Sequence, residues 1–450
     1  MRGFFGFIFS RLFLCIAIIA AYVTGIVFLC LYLPTLVSVG AATAGAFALS
    51  ASAALRAASG SYPAEYRCSW LFFIAAFPVV GAAVFFASIS RRTPPWGNLT
   101  VRGTACGNCR YFSDGSRFFE ELYSAVDGAQ RSIYLEFYII AEGEIFEGLI
   151  KRLRLALRRG VEVKIMTDGL GSALRLPSKK LRKLRKEGAQ FKIFNGLIPP
   201  PLSRLNFRDH RKIAVIDGRI AFSGGINIAD EYADITRPHG KWKDCAFAVD
   251  GSAATFFNEL FLSCWEGDRE CDLPRCVGDE IVPVYDCPPR HIGCGSATLL
   301  RAIYSANRRV WAFTPYLCLD ERLFAAFESA AKRGADVKII IPAIPDKKAT
   351  YMLTCDCAAR LAQRGAEVYV YTPGFMHAKA VICDDGCFLG SYNLDFRSLW
   401  LNSECGAYFS GGPTQEVAAD FIQCLRLSSP FRASRKRWVF KAFRLFGPLA

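Results

Sequence analysis

Two hydrophobic patterns divide the chain. Up to about residue 95 the apolar residues gather in long uncharged runs, and beyond it they fall into short runs at strand or helix spacing. Residues 12–33, LFLCIAIIAAYVTGIVFLCLYL, carry no charge, and neither do residues 69–90, SWLFFIAAFPVVGAAVFFASIS. Each is long enough to cross the ~30 Å hydrocarbon core of a bilayer. The pattern therefore predicts N-terminal transmembrane helices within residues 1–95: these two, with the Ala/Gly/Ser-rich residues 37–54 as a candidate third. A cleaved signal peptide is the rival reading of the first segment, which is long for one and lacks a polar cleavage region. Arg2 and Arg11 favour an inner N-terminus, and Arg91 and Arg92 favour an inner catalytic part.

Past residue 105 strands and helices alternate. RSIYLEFYII is a β-branched and aromatic run, EIFEGLIKRLRLALRRG has helical spacing closed by Gly160, and VEVKIMTDG is again a strand. The helix SKKLRKLRKEG and the strands AQFKIFN, RKIAVIDG and RIAFSGG follow. The same order returns as RRVWAFTPYL, ERLFAAFESAAKRG, ADVKIIIP, CAARLAQRG, AEVYVYT, HAKAVICD and GCFLGSYN. This is a duplication, with a first half at 105–270 and a second at 280–428. Strand–helix alternation predicts an α/β/α sandwich in each half, the two pairing as one pseudo-twofold domain. The first copy carries an extra apolar, Pro-rich loop, GLIPPPLSRLNF, just before its DHRK segment. It reads equally as a surface excursion or as a lip over a site.

Each copy places a His and a Lys two residues apart on a strand: His210 with Lys212, and His377 with Lys379. Residues i and i+2 share a face, so each pair projects together. Asp217 and Asp384, seven positions after each His, have the opposite parity and fall at the strand's end, which suits a turn-holding role. A lone His/Lys pair is often a solvated strand edge; two copies in matching surroundings argue for one site built from both. A small-residue turn with an Asn follows each motif, Gly224-Gly225-Ile226-Asn227 and Gly390-Ser391-Tyr392-Asn393. Two lysines and two asparagines can surround a phosphate and stabilise charge on its oxygens. Aligning KWKDCAFAV with WLNSECGAYF sets Asp244 opposite Glu404. A carboxylate on Nδ1 fixes an imidazole's tautomer. The expected pairs are His210 with Asp244 and His377 with Glu404, with the crossed pairing as the alternative.

Charge narrows the partners. Lys and Arg number 55 against 40 Asp and Glu, a formal net charge of +15, which favours anionic partners. At 52% hydrophobic the chain has ample core, so disorder is excluded for most of it. The 18 cysteines show no small-domain disulfide spacing and read mostly as free thiols, favouring a reducing, cytoplasmic side. Cys106-x-x-Cys109 lacks the second ligand pair that a zinc site requires. At the C-terminus, residues 429–450 suit a basic amphipathic helix on anionic lipid: Arg437, Lys441 and Arg444 share one face while Trp438, Phe443 and Phe446 turn away. Packing on the catalytic domain is the alternative.

These motifs resemble the phospholipase D superfamily, whose members carry two HxKxxxxD motifs, each followed by a Gly-rich turn with Asn. Within it the chain is similar to bacterial cardiolipin synthases, through WLFFIAAFPVVGA, NFRDHRKIAVIDG, GGINIADEY, TPYL, RGADVKIIIP and GSYNLDFRSLWLNSE. The resemblance implies a catalytic set of His210, Lys212, Asp217, His377, Lys379 and Asp384, with no metal or cofactor. It implies phosphatidylglycerol and anionic membrane lipids as partners rather than nucleic acid, and a multi-pass place in a bacterial plasma membrane. By analogy His210 is the nucleophile and His377 the acid/base, though the near symmetry of the motifs allows the reverse. Cys318 and His239 depart from the family pattern. A membrane-bound phospholipase D or nuclease would use the same residues with water as acceptor; a catalytically dead lipid-binding scaffold would not retain both motifs.

Overall fold

The computed structural model describes residues 24, 25, 28, 36–60, 62–89, 97–173, 175–196, 207–274, 278–288 and 293–433. Its contacts divide the chain into one unit of Met1–Arg92 with two short later pieces, and a larger unit of Thr93–Pro200 and Arg204–Phe443. All but residues 24, 25 and 28 of the predicted span 12–33, the Pro-rich loop apart from its end residues, and most of the C-terminal amphipathic segment lie outside the described residues.

Among the described residues no helix is long and apolar enough to cross a membrane, which corrects the expected N-terminal transmembrane region and multi-pass location. The physical reason is visible in residues 69–90. They form parts of two short helices, Ala64–Ala76 and Pro78–Ile89. Phe77 leaves the helical region at φ −136°, ψ 74°, and Pro78, which lacks an N–H to continue the ladder, starts a new helix. The second helix folds back on the first, so that Trp70 meets Phe85 edge-on with ring centroids 5.3 Å apart. Gly81 permits this turn: a Cβ there would lie 2.8 Å from the Phe73 carbonyl oxygen. The helix Leu36–Ala58 runs for 23 residues and is built largely of Ala, Gly and Ser.

In the larger unit the duplicated pattern becomes two sheets of matching order. The first half supplies β1 (Ser132–Phe137), β2 (Glu162–Asp168), β3 (Gln190–Phe194), β4 (Lys212–Ile216), β5 (Ile220–Gly224) and β6 (Ala246–Val249). The second supplies β7 (Arg309–Phe313), β8 (Asp336–Pro342), β9 (Glu367–Tyr371), β10 (Ala380–Cys383), β11 (Gly386–Gly390) and β12 (Asn402–Phe409). Spatially the first half runs β6-β5-β4-β1-β2-β3 and the second β12-β11-β10-β7-β8-β9, within seven- and ten-stranded sheets. In both, the βαβ pairs are parallel and the motif hairpin, β4–β5 or β10–β11, is antiparallel.

The helix Glu144–Arg158 shows how pattern becomes packing. It buries Ile145, Phe146, Leu149, Ile150, Leu153 and Ala156, a single 3.6-period stripe, against the first sheet. Strands β4, β10 and β11 are buried throughout, which explains their uninterrupted apolar runs. The halves meet through β6 and β12, where Phe247 and Phe409 pack edge-on at 5.4 Å. Cys106 is disulfide-bonded, whereas Cys109 is a free thiol whose pKa burial pushes far up. The two residues of the Cys-x-x-Cys pattern therefore do not act as a pair.

Candidate active site

Each motif histidine enters the site beside a strand of the other half. Arg208–Asp209 pairs in parallel with the start of β12, and the His210 N–H donates to the Ser403 carbonyl at 2.9 Å. Likewise Gly374–Met376 pairs with Lys241–Lys243, and the His377 and Ala378 N–H groups both donate to the Lys243 carbonyl, at 2.7 and 3.0 Å. The next residue along each borrowed strand is the carboxylate, Glu404 or Asp244. The dyads are consequently crossed: His210 Nδ1 lies 3.0 Å from both Glu404 oxygens, and His377 Nδ1 lies 2.6 Å from Asp244 Oδ2. The direct pairing of His210 with Asp244 and His377 with Glu404 does not occur, because the halves exchange neighbours just where the histidines emerge.

The carboxylates are held differently. A Cβ on Gly225 would lie 2.1 Å from Asp244 Oδ1, so the bare glycine makes room for that carboxylate. At the matching position Ser391 fills the space, and its hydroxyl donates to Glu404 Oε2. Asn402 Nδ2 donates more weakly to Glu404 Oε1, at 3.4 Å. Burial opposes charge on both acids. In Asp244 the nearby Lys379 and His377 outweigh burial and hold the carboxylate below its ordinary pKa. In Glu404 burial wins and raises the pKa to about 7.

The lysines lie on the same face as their histidines. Lys212 Nζ donates to the His210 carbonyl at 2.5 Å, and Lys379 Nζ donates to the His377 carbonyl and lies 2.8 Å from its Nδ1. Burial lowers Lys212 to about 7 and also lowers Lys379. Burial followed by Lys212, Lys379 and Lys347 holds His210 well below the usual histidine pKa. Burial and Lys379 bring His377 down to about 4 against the pull of Asp244. Each motif lysine thus acts on the histidines of both halves, which makes the two motifs one electrostatic site.

Asp217 and Asp384 stand at the far ends of the motif strands, where their parity along the strand places them. Both sit at hairpin turns with positive φ, 55° and 50°. Asp217 accepts from the N–H groups of Gln130, Arg131 and Ser132, and Asp384 from those of Asn307, Arg308 and Arg309. They tie the motif hairpin to the start of β1 or β7. Asn227 spends its amide within its own half: Oδ1 accepts from the Ile139 N–H at 3.0 Å and Nδ2 donates to the Tyr232 hydroxyl at 2.7 Å. Asn393 Oδ1 is buried without a partner.

Several site neighbours carry no motif signal. Tyr138 packs edge-on to His210 at 5.0 Å, while Tyr232, Trp242 and Phe375 ring His377 at 5.4, 5.1 and 5.5 Å. His239 lies 6.4 Å from Trp242 and 6.0 Å from Phe375, at the rim of that aromatic cluster. Tyr138 and Tyr316 stand in LEFYII and TPYL, corresponding strings of the two copies, and that correspondence was the available clue to both. Among the described residues no group of three His, Cys, Asp or Glu side chains is placed to hold a metal ion.

The family profile described as cardiolipin synthase, PLD-like domain matches residues 122–239 and 299–425, one match in each half. A cardiolipin synthase of Clostridium perfringens is 33% identical over 335 residues, covering 70% of either chain. One from a Geobacillus strain is 32% identical over 368 residues, covering 76% of this chain and 72% of that one. The crystal structure of a phosphatidylserine synthase from Haemophilus influenzae superposes with a TM-score of 0.60 at 14% identity, over 77% of this chain and 97% of that one, a likeness of fold. Matching both halves and most of the length of these relatives, the chain belongs to the cardiolipin synthase family of phospholipase D-like enzymes.

Proposed function

We propose that this phosphatidyltransferase joins two phosphatidylglycerol molecules into cardiolipin, releasing glycerol, through a phosphatidyl-histidine. The observation that carries the reading is the pair of crossed His–carboxylate dyads inside one field of buried lysines. Each carboxylate takes the Nδ1–H of its histidine and leaves Nε2 for chemistry. His210, held neutral by burial and three lysines, suits the nucleophile. Its Nε2 attacks phosphorus as the glycerol oxygen leaves and takes a proton from His377 Nε2. The ionised Asp244 at 2.6 Å suits His377 to carrying that proton. The second phosphatidylglycerol then gives its hydroxyl proton back to His377 and attacks phosphorus, and the His210–phosphorus bond breaks. Lys212 and Lys379 stabilise the negative oxygens of the five-coordinate state.

The free enzyme holds His377 neutral, so the imidazole takes up its proton from solvent as substrate binds. A bound phosphodiester adds negative charge beside the imidazole, which raises its pKa toward the acid form.

The test uses labelled phosphatidylglycerol in mixed micelles, with His210→Asn and His377→Asn. Cardiolipin and glycerol from the parent, lost in both variants, are expected. With a p-nitrophenyl phosphatidyl donor, whose leaving group needs no proton, His377→Asn should regain a burst of nitrophenol and His210→Asn should not. A burst from His210→Asn alone would reverse the two roles. Phosphatidic acid without cardiolipin would make water the acceptor.

A further inference from the structure

Joining two anionic lipids brings two phosphates into one site. Lys212 and Lys379 are buried and bonded back to their own histidine carbonyls, beside the phosphorus that is transferred. The acceptor's phosphate calls for a cation further out. The segment after β8, residues 343–347, is anchored to the strand that delivers His377: the Ala343 and Ile344 N–H groups both donate to the Gly374 carbonyl, at 3.2 and 3.4 Å. Its last two residues are Asp346 and Lys347. The Tyr316 hydroxyl donates to Asp346 Oδ2 at 2.5 Å and accepts from Lys347 Nζ at 2.6 Å. The Tyr316 ring lies 6.5 Å from that of Phe375, which lies 5.5 Å from the His377 ring.

Two features point to a ligand. Asp346 Oδ1 is buried and accepts no hydrogen bond, an expensive state for a carboxylate oxygen unless something arrives to fill it. The Lys347 side chain is 62% exposed although its charge is felt at His210 and Tyr138, so it stands at the mouth of the site. Asp346 in turn acts on His377 and Lys379. The corresponding segment after β2, Gly169-Leu170-Gly171-Ser172-Ala173, has no charged residue. The asymmetry gives the second half, which carries the acid/base histidine, a polar clamp that the first half lacks.

We infer that Asp346 and Lys347 form the head-group site for the acceptor lipid. Lys347 pairs with the acceptor's phosphate, and Asp346 Oδ1 accepts from the glycerol hydroxyl that does not attack. The inference rests on the proposed function, because it concerns the second of two lipid substrates.

Partitioning of the common intermediate tests it without dependence on the amount of folded enzyme. Full-length protein is given phosphatidylglycerol micelles containing labelled glycerol and ethanol. Four products are counted: cardiolipin, labelled phosphatidylglycerol, phosphatidylethanol and phosphatidic acid. Lys347→Ala should lower cardiolipin relative to labelled phosphatidylglycerol about tenfold, the size of one lost charged hydrogen bond. Only the lipid acceptor brings a phosphate. Asp346→Asn should lower both glycerol-derived products relative to phosphatidylethanol by a similar factor, since ethanol has no second hydroxyl. Product ratios equal to the parent's in both variants would overturn the inference. A parent enzyme making neither cardiolipin nor labelled phosphatidylglycerol would instead overturn the proposed function.

Discussion

At the scale of single residues, the site is a set of charges forced to share a dry space. His377 is the clearest case, because burial and Lys379 push its pKa to about 4 while Asp244 pulls the other way. Removing a positive charge favours the imidazolium, so Lys379→Met should raise the His377 pKa. Titrating labelled histidine by NMR, with His377→Asn for assignment, would show its protonation step moving to higher pH. No movement would mean that Lys379 does not set the value. The histidines and lysines were legible in the sequence because spacing of two on a strand puts both side chains on one face, and the second copy repeated the signal. The Asn227 and Asn393 readings rest on a small-residue turn repeated after each motif, and such a repeat does not tell which atoms a side chain has already engaged. Asn227 has spent its oxygen on Ile139.

At the scale of elements, the motif hairpins depend on Asp217 and Asp384 rather than act through them. Each adopts a left-handed conformation that aspartate tolerates better than most residues, and each gathers three backbone N–H groups at the start of a neighbouring strand. Replacing either with Ala should cost about 1–2 kcal/mol, as for other side-chain caps. A urea midpoint shift should show this loss, while folded enzyme keeps its cardiolipin-forming rate within a few-fold. A rate falling by orders of magnitude at unchanged stability would return these aspartates to the chemistry. Parity along the strand pointed to the turn role, while membership of the motif pointed the other way. Residues 69–90 teach the converse. Hydropathy over that stretch suggests one span, but Pro78 and Gly81 turn it into a helical hairpin, and a window average does not register either residue.

At the scale of the whole larger unit, duplication makes the halves interdependent. The alternation of strands and helices within each half was readable from the sequence, but the order in which the strands lie was not. Nor was the partner of each histidine, because it depends on which half's strand lies alongside, a contact that no local pattern encodes. The crossing has a direct consequence for kinetics. Asp244 belongs to the first half yet serves His377, so Asp244→Asn should damage proton delivery to the leaving glycerol. Glu404 belongs to the second half yet serves His210, so Glu404→Gln should damage attack on phosphorus. Losing a general acid typically costs 10²–10⁴-fold in rate, so cardiolipin formation should fall by about that much in Asp244→Asn. With a p-nitrophenyl phosphatidyl donor the nitrophenol burst of Asp244→Asn should return close to that of the parent, because departure no longer needs a proton. Glu404→Gln should stay slow with either donor. The direct pairing would exchange the two outcomes, because Asp244 would then support the nucleophile. The burst assay therefore reads out, in one experiment, which half's carboxylate serves which histidine.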